Sequence, residues 1–140
     1  MFISAIVLTI ISNVLYHVFQ KVTPSNVNPM LALAVTYLVA AVICLALLPA
    51  FPLTTGLWAS IKQLNWASYG LAAAVVGLEL GFLLAYRAGW DISLASLVSN
   101  VTVSMILLPI GLLLFKEKIA PVNSVGIGVC ILGLFLVNWK

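Results

Sequence analysis

The sequence predicts an all-α, polytopic membrane protein with five transmembrane helices and a short interfacial helix between the second and third. Three observations predict it. Of the 140 residues, 64% are hydrophobic and 6% charged, against about 25% charged in a soluble domain. The apolar residues form runs of roughly 20, the length that crosses the hydrocarbon core. Charged residues, Pro, Asn or Trp bound the runs, and all four Trp residues lie in the short middle segment or at span ends, where an amphipathic ring sits best.

The first span runs from Ile3 to Gln20 and stops at Lys21 and the polar loop Thr23-Pro24-Ser25-Asn26. No Lys or Arg precedes it and no small-residue cleavage site follows, so it reads as a retained helix rather than a signal peptide. The second opens with Asn28 as cap and Pro29 at the first helical position and continues to Leu48, before Pro49 and Pro52. From Pro52 to Asn65, Leu57, Ile61 and Leu64 recur at helical spacing beside Trp58, the pattern of an amphipathic helix lying in the headgroup region. The third span runs from Ala67 to Tyr86 and the fourth from Ile92 to Phe115. The turn Arg87–Asp91 makes them an antiparallel hairpin, with Asp91 placed to cap the fourth helix and an Arg87–Asp91 loop ion pair of small energetic value. After Lys116-Glu117-Lys118, Pro121 starts a fifth helix reaching Val137. The whole chain, 1–140, is read as one transmembrane domain.

Charge excludes some functions and leaves orientation open. Six basic and three acidic residues give a net charge of +3, but they are scattered and form no surface for a run of phosphates, so nucleic acid is excluded as a partner. With five spans, Lys62, Lys116 and Lys118 fall on one side and Lys21, Arg87 and Lys140 on the other. This even division gives the positive-inside rule little to act on. A balanced chain can insert both ways and pair antiparallel with a second copy; a small bias or a partner fixing one orientation is the alternative. Cys44 and Cys130 sit in apolar runs, where a thiol behaves as a small hydrophobe, and with a single His they offer no metal-ligand spacing. Neither a disulfide, a metal nor a cofactor is expected. There is no carboxylate pair, nucleophile–base arrangement or phosphate loop in the spans or loops, so an enzyme is not expected.

Helical spacing then sorts faces. On the third span Gly70, Gly77 and Gly81 lie within about 40° of one another, with Glu79, Phe82, Val75 and Tyr86 opposite. Gly77-Leu-Glu-Leu-Gly81 is a GxxxG pattern that admits close backbone approach. Gly126, Cys130 and Gly133 form a similar stripe on the fifth span, and Ala32, Thr36, Ala40 and Cys44 a drifting one on the second. These are read as helix contacts within one chain or between two. Glu79 is the only acid inside a span, where a charge costs about 2.5 to 3.5 kcal/mol on insertion scales. Desolvation favours a neutral acid and a nearby cation or donor favours the carboxylate, and a group held between those states suits proton coupling or reversible cation binding. The competing reading is a protonated acid hydrogen-bonded across a helix interface. Asn13, Tyr16, His17 and Gln20 make a polar stripe of about 100° on the first span. From it, His17 is a candidate substrate donor or partner of Glu79, or else a helix–helix hydrogen-bonding residue; Gln20 can simply reach the interface. Ser96, Asn100 and Ser104 share a face of the fourth span, although serines there commonly bond back to their own helix, and Pro109 permits a bend. Tyr37 and Tyr86 are candidates to close an aromatic-lined pocket, with interfacial anchoring the alternative for Tyr86. The candidate substrate or proton site is therefore Glu79, His17, Asn13, Tyr37, Tyr86, Ser96, Asn100 and Ser104, and the candidate packing or dimer set is Gly77, Gly81, Gly126 and Gly133.

The run from Gly81 to Leu97 (GFLLAYRAGWDISLASL), then Leu108-Pro109, Phe115-Lys-Glu117-Lys-Ile119 and Gly126 through Gly133, resembles one repeat of the EamA family of the drug/metabolite transporter superfamily. The shared features are a Tyr-containing helix end, a small-residue-rich helix with a Pro, a loop glutamate and a Gly-rich final helix. The resemblance implies a five-helix repeat and transport of small organic metabolites or drugs across a prokaryotic inner membrane, by export coupled to protons or cations. Such proteins usually carry two oppositely oriented repeats around a central cavity. This chain has one, which implies a homodimer, with the antiparallel arrangement preferred, and alternating access at a midplane site. Glu117 matches the family's loop glutamate and is read as structural. Related four-helix multidrug transporters place their coupling glutamate in the first helix, where this chain has Asn13 and His17, so the role of Glu79 rests on physical argument alone. Two alternatives remain: a lipid-linked headgroup flippase subunit, which needs an apolar, laterally open cavity, and a non-transporting membrane scaffold, which tolerates single changes at Asn13, His17 and Glu79 and co-purifies with a larger partner.

Overall fold

The structure, a computed structural model, describes residues 2–116 and, further on, 125, 126, 128–130, 132, 133 and 136. The elements are α1 (Phe2–Val22), α2 (Pro29–Leu47) with a 3-10 turn at Leu48–Ala50, α3 (Leu57–Lys62), α4 (Trp66–Arg87) and α5 (Ile92–Leu113). No strand occurs among the described residues. Among the described residues, four helices are long and apolar enough to cross a membrane: Ile3–Val22, Pro29–Ala50, Trp66–Arg87 and Ile92–Leu113. The fifth expected span lies largely outside the described residues, as does Glu117; those of its residues that are described are helical.

Helix boundaries follow local chemistry. The Asn28 side chain accepts hydrogen bonds from the Met30 and Leu31 amides at 2.9 and 3.3 Å, with Pro29 in the first turn, as read from the sequence. Asn65 caps α4 the same way through Ala67 N–H at 3.0 Å. Helix α4 ends where Gly89 takes a φ of 96°, a backbone conformation cheap only for glycine, and its amide returns to the Tyr86 carbonyl at 3.1 Å. Asp91 does occupy the N-cap position of α5, but its side chain makes no capping hydrogen bond. Pro109 lies inside α5, which continues through it to Leu113. The expected interfacial helix is only six residues long and all but Ser60 are exposed. Pro52 and a glycine N-cap at Gly56 that offers no side-chain bond leave the preceding residues irregular, and such a short helix gains little from its own hydrogen bonds.

The chain divides into two compact units, Met1–Gly89 and Trp90–Lys140, and each is described by itself. In the first, α4 is central: its backbone approaches both α1 and α2 closely, while the backbones of α1 and α2 do not approach each other closely among the described residues. The ends of α1 and α4 that carry His17 and Tyr86 meet. The buried side chains of this unit are Leu33, Leu83 and Tyr86 with the polar His17 and Gln20. They lie near the C-terminal ends of α1 and α4 and the N-terminal end of α2. Residues 3–15 of α1 and 38–47 of α2 are exposed throughout. The core is therefore an end of the unit rather than its full length.

Candidate functional site

The site grows from three side chains that α1 presents over its last turns and α4 meets with an opposing set. Tyr16, His17 and Gln20 face Glu79, Phe82, Leu83 and Tyr86, spaced three or four apart so that they share one face of α4. His17 Nδ1 and the Tyr86 hydroxyl form a buried hydrogen bond of 2.7 Å. The imidazole stands edge-on to Tyr16 at 5.1 Å, to Phe82 at 4.7 Å and to Tyr86 at 6.2 Å between ring centres, and Phe82 stacks on Tyr86 at 5.9 Å. Edge-to-face pairs at such separations are worth about 0.5–1.5 kcal/mol each. The Lys21 ammonium lies 5.6 Å from the centre of the Tyr86 ring, within cation–π range. Gln20 donates through long bonds, 3.4 Å to the Tyr16 hydroxyl and 3.5 Å to the Glu79 carbonyl oxygen. Arg87 closes the same end by donating to the Pro24 carbonyl at 3.0 Å.

Glu79 lies one helical turn inside this cluster and is partly buried. The groups that interact with its carboxyl are the phenols of Tyr16 and Tyr37. The Tyr37 hydroxyl, from α2, is itself buried and has no hydrogen-bond partner: it lies beside the carboxyl without meeting it in bonding geometry. Beyond Glu79 toward the N-terminal half of α4, a cavity of about 450 Å³ is lined by Tyr37, Ser68, Leu71, Ala72, Val75 and Val76. Its α4 residues recur at helical spacing on the face that Glu79 continues one step further, and Tyr37, which interacts with the carboxyl, is the α2 residue of the lining.

Among the site residues suggested by sequence, the structure brings together Glu79, Tyr37, His17 and Tyr86. His17 is not the partner of Glu79; its ring nitrogen is taken by Tyr86. Tyr86 is 5% exposed, buried against α1 by its contact with His17. Asn13 lies exposed on α1 about a turn before Tyr16. Three residues absent from the candidate set belong to the cluster: Tyr16, Phe82 and Gln20, the last 8% exposed and not extended to the interface. Tyr16 and Gln20 carried a sequence signal, since both fall on the polar stripe of the first span; Phe82 carried none beyond its arc. In the second unit, Ser96 donates to the Ser93 carbonyl at 3.1 Å and Ser104 to the Asn100 carbonyl at 2.8 Å, the back-bonding that serines adopt in membrane helices. Asn100 and Ser104, with Val101, Met105 and Cys130, line a cavity of about 300 Å³.

The glycine stripe faces away from these contacts. A Cβ built on Gly77 or Gly81 meets no atom within 4 Å, so neither glycine mediates a contact of α4 with α1 or α2. Gly126 and Gly133 are open in the same sense among the described residues.

Apolar spans joined by short loops, with an ionisable group and a polar cluster held between helices, define an integral, multi-pass membrane protein with an internal polar site. The profile of the EamA-like transporter family matches residues 1–139. The chain belongs to that family, which is one of membrane transporters rather than enzymes. No curated protein and no solved structure matches it.

Proposed function

We propose that this protein is a proton- or cation-coupled exporter of small organic metabolites or drugs, acting as a homodimer in a prokaryotic inner membrane, with Glu79 as the coupling site. The observation that carries the reading is the setting of Glu79. A carboxyl inside a span is costly, and here its neighbours are uncharged phenols that can donate or accept a hydrogen bond. Such a setting can hold the acid neutral or solvate it as it exchanges a proton for a cation. The groove between α2 and α4 gives an apolar solute a route to it, and a volume of about 450 Å³ lies in the range of small-molecule sites. Two copies, preferably antiparallel, supply the second repeat, and the open glycine face of α4 suits contact between them. Asn13 on α1 and Ser96, Asn100 and Ser104 on α5 are polar residues available to complete the cavity lining, and the short α3 lies at the membrane interface.

The test is Glu79→Gln, which keeps volume and removes ionisation. In liposomes it abolishes substrate-driven proton movement across a panel of organic solutes; unchanged coupling removes Glu79 from the mechanism. The groove also favours a second reading, a lipid-linked headgroup flippase, because its lining is apolar apart from Tyr37 and Ser68. Protected transfer of a lipid-linked saccharide across reconstituted vesicles, with no proton movement for free solutes, selects that reading.

A further inference from the structure

The buried side chains of the first unit are confined to one end of it. His17 and Gln20 close α1, Leu33 opens α2, and Leu83 and Tyr86 close α4. Leu83, 1% exposed, and Tyr86 follow Glu79 by one and two helical turns, so they lie between the carboxyl and the end of the unit marked by Lys21, Pro24 and Arg87. In the other direction the groove lined by Val76, Val75, Ala72 and Leu71 leads away from Glu79 along about 12 Å of helix. The groove thus runs along α4 to the turn before Glu79 on one side, while buried side chains follow Glu79 on the other.

The block has a particular construction. Side chains from α1 and α4 meet there, two of them, Gln20 and Arg87, on backbone carbonyls. The shortest polar contact is the 2.7 Å bond between His17 and Tyr86, joining residues 69 apart in the chain, and ring edges surround it. A hydrogen bond between two side chains can be broken by rotating one of them, without disturbing any helix ladder, and its modest net contribution corresponds to roughly a five-fold change in population. An open form is then a minor member of the ensemble rather than an unfolded one.

We propose that His17 and Tyr86 are positioning residues that form a latch: their hydrogen bond holds shut the Lys21–Arg87 end of the pathway, and rotation of Tyr86 away from His17 opens Glu79 to that side. This rests on the transport reading, but assigns the two residues to the barrier and not to the solute. It also explains why His17, the single histidine of the chain, spends its Nδ1 on a tyrosine rather than on Glu79.

The experiment places a reporter cysteine at Leu83, with Cys44 and Cys130 replaced by alanine, in nanodiscs where both faces meet a membrane-impermeant maleimide. Tyr86→Phe, which keeps the ring stacked on Phe82 and removes only the hydroxyl, accelerates labelling of Leu83→Cys about five-fold. A second reporter in the groove, Leu71→Cys, labels at an unchanged rate. His17→Asn, which keeps a hydrogen-bonding atom at the position of Nδ1, retains slow labelling at position 83. An unchanged Leu83→Cys rate in Tyr86→Phe overturns the latch, as does equal acceleration of both reporters, which signifies general loosening. If Tyr86→Phe does not fold, the wild-type imidazole provides the readout. ¹⁵N relaxation dispersion of His17 shows Nδ1 exchanging between a bonded major and a free minor state, and its absence overturns the proposal. Neither measurement needs a substrate or a proton gradient. A Glu79→Gln chain that has lost all coupling still shows the Tyr86→Phe acceleration, so failure of the transport reading and failure of the latch are separable.

Discussion

Tyr37 offers the sharpest separation of a functional group from a structural one. Its hydroxyl is buried and unpartnered beside the Glu79 carboxyl. A buried hydroxyl without a hydrogen bond costs about 1–3 kcal/mol, and measured hydrogen-bond couplings between membrane helices average about 0.6 kcal/mol, since the separated helices also find partners. Tyr37→Phe removes the oxygen and keeps the ring. Its expected effect on stability is a gain of about 1 kcal/mol, read as resistance to unfolding in mixed micelles. Its expected effect on function has the opposite sign. When a cation or a proton-exchanging solute occupies the site, the hydroxyl gains a partner, and a hydrogen bond to a charged group is worth about 1.5–3 kcal/mol. Loss of the oxygen therefore weakens half-saturation for a transported solute by roughly 10- to 100-fold.

The assay pairs both readouts on the same preparations and adds Glu79→Gln and the double variant. If the hydroxyl acts through the carboxyl, the two substitutions are non-additive by at least about 1 kcal/mol in binding. A Tyr37→Phe protein that is less stable and transports normally refutes the reasoning, because it shows that the hydroxyl is satisfied in the resting protein and idle in the working one.

Three further outcomes follow from the same structure. Gly77→Leu introduces a side chain where a Cβ meets no atom of the protomer within 4 Å, so monomer stability is retained while self-association, read by single-molecule photobleaching in liposomes, weakens at least about ten-fold; unchanged association shows that the stripe is not a dimer face. Leu83→Ala removes the most buried side chain of the first unit and lowers stability by about 2 kcal/mol, near the lower bound for cavity-forming changes, whereas Leu71→Ala in the groove changes it little. Reporters fused to the two termini label both sides of the membrane in comparable amounts, as an antiparallel pair requires; a single fixed orientation makes that homodimer impossible.

The first four spans are legible because hydropathy over 20 residues measures what a bilayer demands, and the boundary at Asn28-Pro29 follows from capping chemistry. Which face of each helix packs was not legible. Lipid is as apolar as a neighbouring helix, so no amphipathic stripe marks the buried side. The arcs on α4 separated Gly77 and Gly81 from Glu79 and Tyr86 correctly, yet gave no ground for deciding which set meets α1 and α2. In the first unit it is the polar and aromatic set. The His17–Tyr86 bond joins helices that are not adjacent in sequence, and the polar stripe on the first span revealed only half of it. Gln20 was ambiguous for the same reason: a long amide near a span end reaches water or a neighbouring backbone equally well, and only packing decides.

The basic residues acquire a second meaning once the closed end is seen. Lys21 lies against the Tyr86 ring and Arg87 holds the Pro24 carbonyl, so two of the three positive charges that the sequence assigns to one side also brace the barrier. Changing either to test orientation would alter closure as well. Lys62, exposed at the end of α3, has no such duty. Lys62→Gln turns a division of three against three into two against three, and the positive-inside rule then turns the Lys21–Arg87 end toward the cytoplasm in most copies. Terminal reporters measure that shift, and the Leu83→Cys labelling rate serves as its control, because the barrier is untouched. If orientation stays evenly mixed, the six basic residues are not what balances insertion. If it shifts as expected and activity falls with the loss of one orientation, both orientations are required in the working protein, which a parallel dimer cannot explain.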